Sequence, residues 1–262
     1  MILDIHTHIW PEKVVHKAKD HLEEVFKIKL AVVPTPENLL RFMDKNKIDI
    51  SVVNSVASRP DQVASINNWL FGLKNDRFKV FAAFHHEYSN WEDELKRIKD
   101  NASGIKLQPE FQNFYVDDEK IFPAYEKISE LGLPILFHCG YELSGTMLLR
   151  SGPDRMLKVH KKFPKLKIIA AHWGGFRLWD DVEKYLIGQD IWLDTSFTFG
   201  HLEKDRFLAM LAKHPRDKVL FGTDFPLVDQ KQDIDYLNSL PIDTHLRSDI
   251  FSDNAKKLLN FV

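Results

Sequence analysis

A single cysteine, Cys139, stands among the 262 residues. An intramolecular disulfide is therefore excluded, a reducing compartment is the natural expectation, and the thiol reads as a small buried hydrophobe. Long apolar runs are missing as well. None approaches the ~20 residues that span a bilayer. The opening MILDIHTH carries no basic segment ahead of its first apolar run. Together these features predict a cytoplasmic protein without membrane association. Charge excess is also absent: the formal net charge is −2, which gives no electrostatic footprint for nucleic acid. The basic stretch from Lys158 to Lys167 reads as a solvated helix end. There is no Gly/Ser linker and no low-complexity block. A glycine-rich phosphate loop after an early strand is lacking too, which argues against a doubly wound nucleotide-binding sheet.

What is present is alternation. Eight short β-branched or apolar runs recur: ILDIH, IDISVVN, KVFAAF, SGIKLQ, PILFH, KIIAAH, DIWLDTS and KVLFGTD. Between them lie stretches with helical periodicity. In residues 117–132, Ile121, Tyr125, Ile128 and Leu131 fall three or four apart, and Gly132 supplies a stop. Strands alternating with helices imply a parallel sheet with crossover connections. Eight such units in ~250 residues is the size of a (β/α)8 barrel, an α/β fold. The expectation is one barrel domain over residues 1–262. Its first connection, from Pro11 to Pro36, is unusually long. It is helical from Glu12 to about Lys29 and is expected over the barrel mouth or along its rim. Residues from Thr244 to Val262 read as a closing helix.

Polar residues collect where these runs end. Run 1 ends with His6 and His8, run 4 carries Lys106, run 5 ends with His138, run 6 with His172 and run 8 with Asp224. Barrel enzymes place their sites at the carboxyl ends of the strands. Residues i and i+2 of a strand share a face, so His6 and His8 point the same way. By the same rule Asp4 lies on that face, one layer deeper, where it orients a ligand ring or pairs with Lys106. Two imidazoles joined by a third and by a carboxylate suit zinc or a similar first-row metal, and leave room for a bound water. Aromatic residues gather in the following loops, among them Trp10, Tyr141, Trp173, Phe197 and Phe225. They are expected to wall a small, partly apolar pocket.

With DIHTHIWP (4–11), GIKLQP (104–109), PILFHCG (134–140), IIAAHWGG (168–175), LFGTDFP (220–226) and IFSDNAKKLL (250–259) in order, the chain resembles the amidohydrolase superfamily. It is most similar to the amidohydrolase-2 branch, which includes enzymes of the aminocarboxymuconate-semialdehyde decarboxylase type. The resemblance implies one metal ion, most often zinc, on His6, His8, His138 and Asp224. It implies that His172 is the acid/base or electrophilic residue, with Asp224 also handling the proton of a bound water. In other branches a strand-4 lysine is carboxylated and bridges two metals. Here the one-metal reading is favoured, and Lys106 keeps its ammonium and meets a substrate carboxylate or pairs with an acid.

The leading expectation for activity is hydrolysis of a small-molecule amide, lactone or ester by a metal-activated water. The alternative is non-oxidative decarboxylation of an unsaturated or aromatic carboxylic acid. A decarboxylase needs a cation for the carboxylate, and Arg59, Lys106, Arg150 and Arg177 are the candidates. A third reading, a purely structural metal staple, fits poorly, because such sites close with four ligands and are often cysteine-rich. Barrels of this kind often pair, so a homodimer is the partner expectation besides the substrate.

Overall fold

Eight parallel strands follow one another around the sheet in chain order. The computed structural model describes residues 1–143 and 148–261. The strands are β1 (Leu3–Thr7), β2 (Ile50–Asn54), β3 (Phe78–Ala83), β4 (Gly104–Leu107), β5 (Pro134–Phe137), β6 (Lys167–Ala170), β7 (Trp192–Asp194) and β8 (Val219–Leu220). Each overlaps one of the eight runs picked out above. The seam between β8 and β1 closes through the Ile5 amide, which donates to the Phe221 carbonyl at 2.9 Å. The Asp224 amide donates to the His6 carbonyl at 2.8 Å. The fold is therefore the expected (β/α)8 barrel.

Helices α1 (Glu12–Phe26), α2 (Pro36–Asn46), α3 (Val63–Phe71), α4 (Trp91–Asn101) and α5 (Pro109–Gln112) belong to the first half. Helices α6 (Phe122–Glu130), α7 (Pro153–Lys162), α8 (Trp179–Tyr185), α9 (Lys204–Lys213) and α10 (Gln230–Ser239) belong to the second. The closing segment is two short helices, Thr244–Ser248 and Asn254–Leu258, joined by a π turn over Asp249–Asp253. None of these helices is long and apolar enough to cross a membrane.

Strand alternation sorts the core into two layers. Val53, Val80, Ile135, Ile168 and Leu193 pack outward in one cluster with helix residues such as Leu39, Leu95, Ile128 and Val182. Leu3, Ile5, Val52, Phe81, Leu136 and Ile169 fill the barrel, and Ala255 and Leu258 of the closing segment pack with them. Residues 117–132 form a shorter helix than their periodicity predicts. Asp118 caps a 3-10 turn over Glu119–Ile121, and α6 follows with Pro123 in its first turn. Gly132, at φ 68°, terminates it in the left-handed region. Helix α1 stops at Phe26, where Lys27 takes φ 55°. It buries only Val15 fully, because the rest of its inner face borders the cavity at the barrel mouth.

Candidate active site

The site begins with an irregularity in β1. Leu3 stands opposite Ile50 and Asp4 opposite Ser51, but Thr7 stands opposite Val53. Three steps on β1 thus match two on β2, which is a one-residue bulge. Ile5 stays in the barrel core, and His6, next in sequence, also faces the interior, followed by His8. The His6 amide donates to Asp4 Oδ1 at 3.2 Å. Asp4 therefore lies on the outer face, contrary to simple alternation, and touches neither ligand rings nor Lys106. It accepts from the Thr223 amide (3.1 Å), Thr223 Oγ1 (2.7 Å) and Gln230 Nε2 (3.0 Å). It braces the bulge against the end of β8, and burial pushes its carboxyl up to about 7.

Two acceptors set the tautomers of the paired imidazoles. His6 Nδ1 donates to Asp194 Oδ2 at 2.8 Å, and His8 Nδ1 donates to the Asn54 carbonyl at 2.9 Å. In the neutral rings both Nε2 atoms then carry lone pairs. These face each other at 3.2 Å. Asp224 Oδ1 lies 3.5 Å from the first and 3.2 Å from the second. Three electron-pair donors converge with no proton of their own between them. Imidazole, imidazole and carboxylate is a donor set that could hold a divalent first-row cation, and the three ligand atoms lie within 4.8 Å of one another. Burial and the Lys106 ammonium lower His6 to about 4. Burial alone would raise Asp224, but the imidazoles around it outweigh that and hold it well below the carboxylate range.

Asp194, at the end of β7, was not singled out by sequence reasoning. It holds His6 through Oδ2, while Oδ1 accepts the His172 amide at 2.9 Å and the Ser196 amide at 3.0 Å. His172 and Trp173 have φ 58° and 54°, and Asp224 has φ 65°. Such left-handed conformations cost non-glycine residues of order 1–3 kcal/mol and gather at functional sites. The Asp194 side chain and carbonyl, the latter accepting from the Trp173 amide at 2.9 Å, fix this turn. Burial would raise Asp194, yet the His6 charge and hydrogen bond lower it to about 2. Its sequence signal was the one shared by the others: a carboxylate directly after an apolar strand.

His138 does not converge with His6, His8 and Asp224 as a fourth donor. Its Nδ1 faces His172 Nε2 at 3.0 Å, and the buried Nε2 makes no hydrogen bond and lies 3.1 Å from Glu142 Oε1. Glu142, also missed from the sequence, receives a short hydrogen bond from Gln108 Nε2. Burial and then Glu110 raise it to about 8. His172 Nδ1 faces the Ser196 carbonyl at 3.2 Å. Lys106 is 1% exposed. Its Nζ sits 3.2 Å from His6 Nε2 and forms no ion pair among the described residues. Burial lowers its pKa.

The sequence matches the amidohydrolase family over residues 3–261. The chain belongs to the amidohydrolase-2 family. Among curated proteins, none matches the sequence. Solved structures similar to this amidohydrolase include 5-carboxyvanillate decarboxylase from Sphingomonas paucimobilis, with 14% identity, 100% and 99% of the two chains covered and a TM-score of 0.74. A second is 2,6-dihydroxybenzoate decarboxylase from Rhizobium, at 16% identity, 99% and 98% coverage and a TM-score of 0.72. A third is a dihydroxybenzoic acid decarboxylase from Polaromonas with bound manganese and the inhibitor 2-nitroresorcinol, at 18%, 99% and 96%, and 0.73. At these identities the likeness establishes the fold. The chain is an enzyme of a metal-dependent family.

In this amidohydrolase the polar groups form the floor of a cavity of about 920 Å³. His6, His8, Lys106, His138, His172 and Asp224 all reach it, and Trp10, Tyr141 and Phe197 stand on its walls. Five residues expected there lie elsewhere. Trp173 is fully buried outside the cavity and packs on Phe207 at a ring distance of 4.3 Å. Its backbone, left-handed like that of His172, sends the indole away from the floor. Arg59 is 63% exposed and pairs with Asp61, while its neighbours Ser58 and Gln62 line the cavity instead. Phe225 is buried in the outer core. Arg150 bonds Asn113 and the Glu110 carbonyl, and Arg177 lies over the Phe176 ring. Neither arginine reaches the cavity.

Proposed function

We propose that this amidohydrolase removes carbon dioxide from an unsaturated or aromatic carboxylic acid, with one divalent ion held by His6, His8 and Asp224. The observation that carries this reading is Lys106. A buried ammonium without a carboxylate partner is unfavourable, and this one sits on the cavity floor beside the candidate ion seat. A substrate carboxylate would complete it. The activities of the similar structures, decarboxylases of hydroxylated benzoic acids, support the same reading. Hydrolysis, the leading expectation from the sequence, uses the same floor but has no need of an ammonium at Lys106.

The bound ion, zinc or manganese by its donors, supplies positive charge to stabilise negative charge developing on the substrate. Lys106 grips the carboxylate. His172, after taking a proton from solvent, delivers it to the carbon that bears the carboxylate, which forms the new C–H bond. The bond from that carbon to the carboxyl group then breaks. Carbon dioxide leaves, and the electron pair of the broken bond returns to the unsaturated system. Asp194 holds His6 in its donor tautomer, and the Ser196 carbonyl orients the His172 ring.

The test is a screen of manganese- and zinc-loaded enzyme against hydroxylated aromatic acids and unsaturated acids, with lactones, amides and esters alongside. Carbon dioxide release is expected. Lys106→Met keeps the volume and removes the charge-assisted hydrogen bond, so KM for the acid should rise about 10- to 100-fold. Acid release from esters or amides, with no carbon dioxide from any acid, would overturn the proposal in favour of hydrolysis.

A further inference from the structure

The floor accounts for a carboxylate and an ion, but the space above it is larger than such a head group needs. An apolar cavity of about 150 Å³ is enough for one benzene molecule. Here about 920 Å³ is open. The upper walls are mostly apolar. Val14, Ala18, Leu22 and Val25 of α1 line the cavity, and their spacing of four, four and three places them on one stripe of the helix. Ile66 and Trp69 of α3 also line it. The stripe has not been absorbed by the core, because α1 buries only Val15 fully. Leaving it against water forgoes about 25 cal/mol for each Å² of apolar surface. Lys13 and Lys17 stand beside it at the rim, where they attract an anion towards the floor.

We infer that the substrate is amphipathic, a carboxylate seated on Lys106 joined to an extended apolar body, an alkyl chain or second ring, lying along α1. This rests on the carboxylic-acid reading given above and adds to it the size and character of the rest of the molecule. The occupant is the substrate because the apolar walls are continuous with the charged floor in one cavity.

The experiment is calorimetric titration of the manganese-loaded full chain with unreactive straight-chain acids from acetate to decanoate, and with phenyl-substituted acids of increasing chain length. Affinity should rise about fourfold for each buried methylene and level off when the chain reaches the mouth. Ala18→Trp should bring that plateau to shorter chains, and Leu22→Asp should flatten the rise. Circular dichroism checks that both remain folded, as expected for side chains outside the fully buried core. Binding of acetate with no gain along the series overturns the apolar site and leaves the carboxylate reading standing. Absence of binding by every acid overturns both. An unchanged slope in both variants also overturns it, since the apolar contact then lies away from α1.

Discussion

His6 and Asp194, 188 positions apart in the chain, meet at 2.8 Å. The contact places the His6 proton on Nδ1 and leaves the Nε2 lone pair facing His8, Asp224 and Lys106. The same carboxylate holds the His172 amide at 2.9 Å. One residue thus ties the orientation of a candidate ion ligand to the position of the candidate proton donor.

Asp194→Asn keeps the shape and loses the charge. Groups that orient metal-binding histidines are worth 10- to 100-fold in metal affinity. A loss of that size is expected in chelator-competition titrations with zinc or manganese. Unchanged affinity would show that His6 does not depend on this partner.

His8→Ala should remove metal and activity together. His8 is only partly buried, so the fold should survive, as circular dichroism would show. Elemental analysis of the purified variant should find metal content at least about tenfold lower, in line with loss of one of three donors. Full metal occupancy would exclude His8 as a ligand.

For His172, asparagine is the informative substitution, because it tolerates the left-handed backbone that alanine resists. His172→Asn should retain metal and lose about 10²- to 10⁴-fold in kcat, the range of general acid–base catalysis. Normal turnover would take the proton-transfer role away from it.

Asp233 supplies a pH test on metal-free protein. Burial, followed by the nearby Asp4 charge, pushes its carboxyl from 3.8 up to about 9. The folded state therefore keeps a proton that the unfolded state releases. Stability from this group is full below pH ~4 and is lost as pH rises towards ~9. Asp233→Asn should behave like wild type in acid and gain Tm progressively above it, by about 5 °C near pH 8 for a gain of about 2 kcal/mol. A melting difference that stays flat with pH would count against the raised carboxyl.

The barrel was legible because each strand is a short apolar run and most of the runs end in a polar group. Convergence of His6, His8 and Asp224 followed from that repeat. The bulge was not legible, since register is a relation between β1 and β2 and leaves no mark in either alone. Asp4 was misplaced for that reason. Trp173 and Arg59 were misplaced because side-chain direction in loops depends on the sign of φ and on local partners such as Asp61. Asp194 carried the same mark as Asp224, but among 38 acidic residues the position of one stands out only when its contacts are known. His138 is likewise turned towards His172, which its Nδ1 faces at 3.0 Å, a contact between two strand ends that neither run shows alone.

The left-handed backbone at His172 and Asp224 sets stability and chemistry against each other. Glycine adopts that conformation freely, so a chain screened for heat resistance alone would gain by accepting it at either place. Breeding this enzyme for endurance without an assay would therefore wear away its candidate working residues before its scaffold.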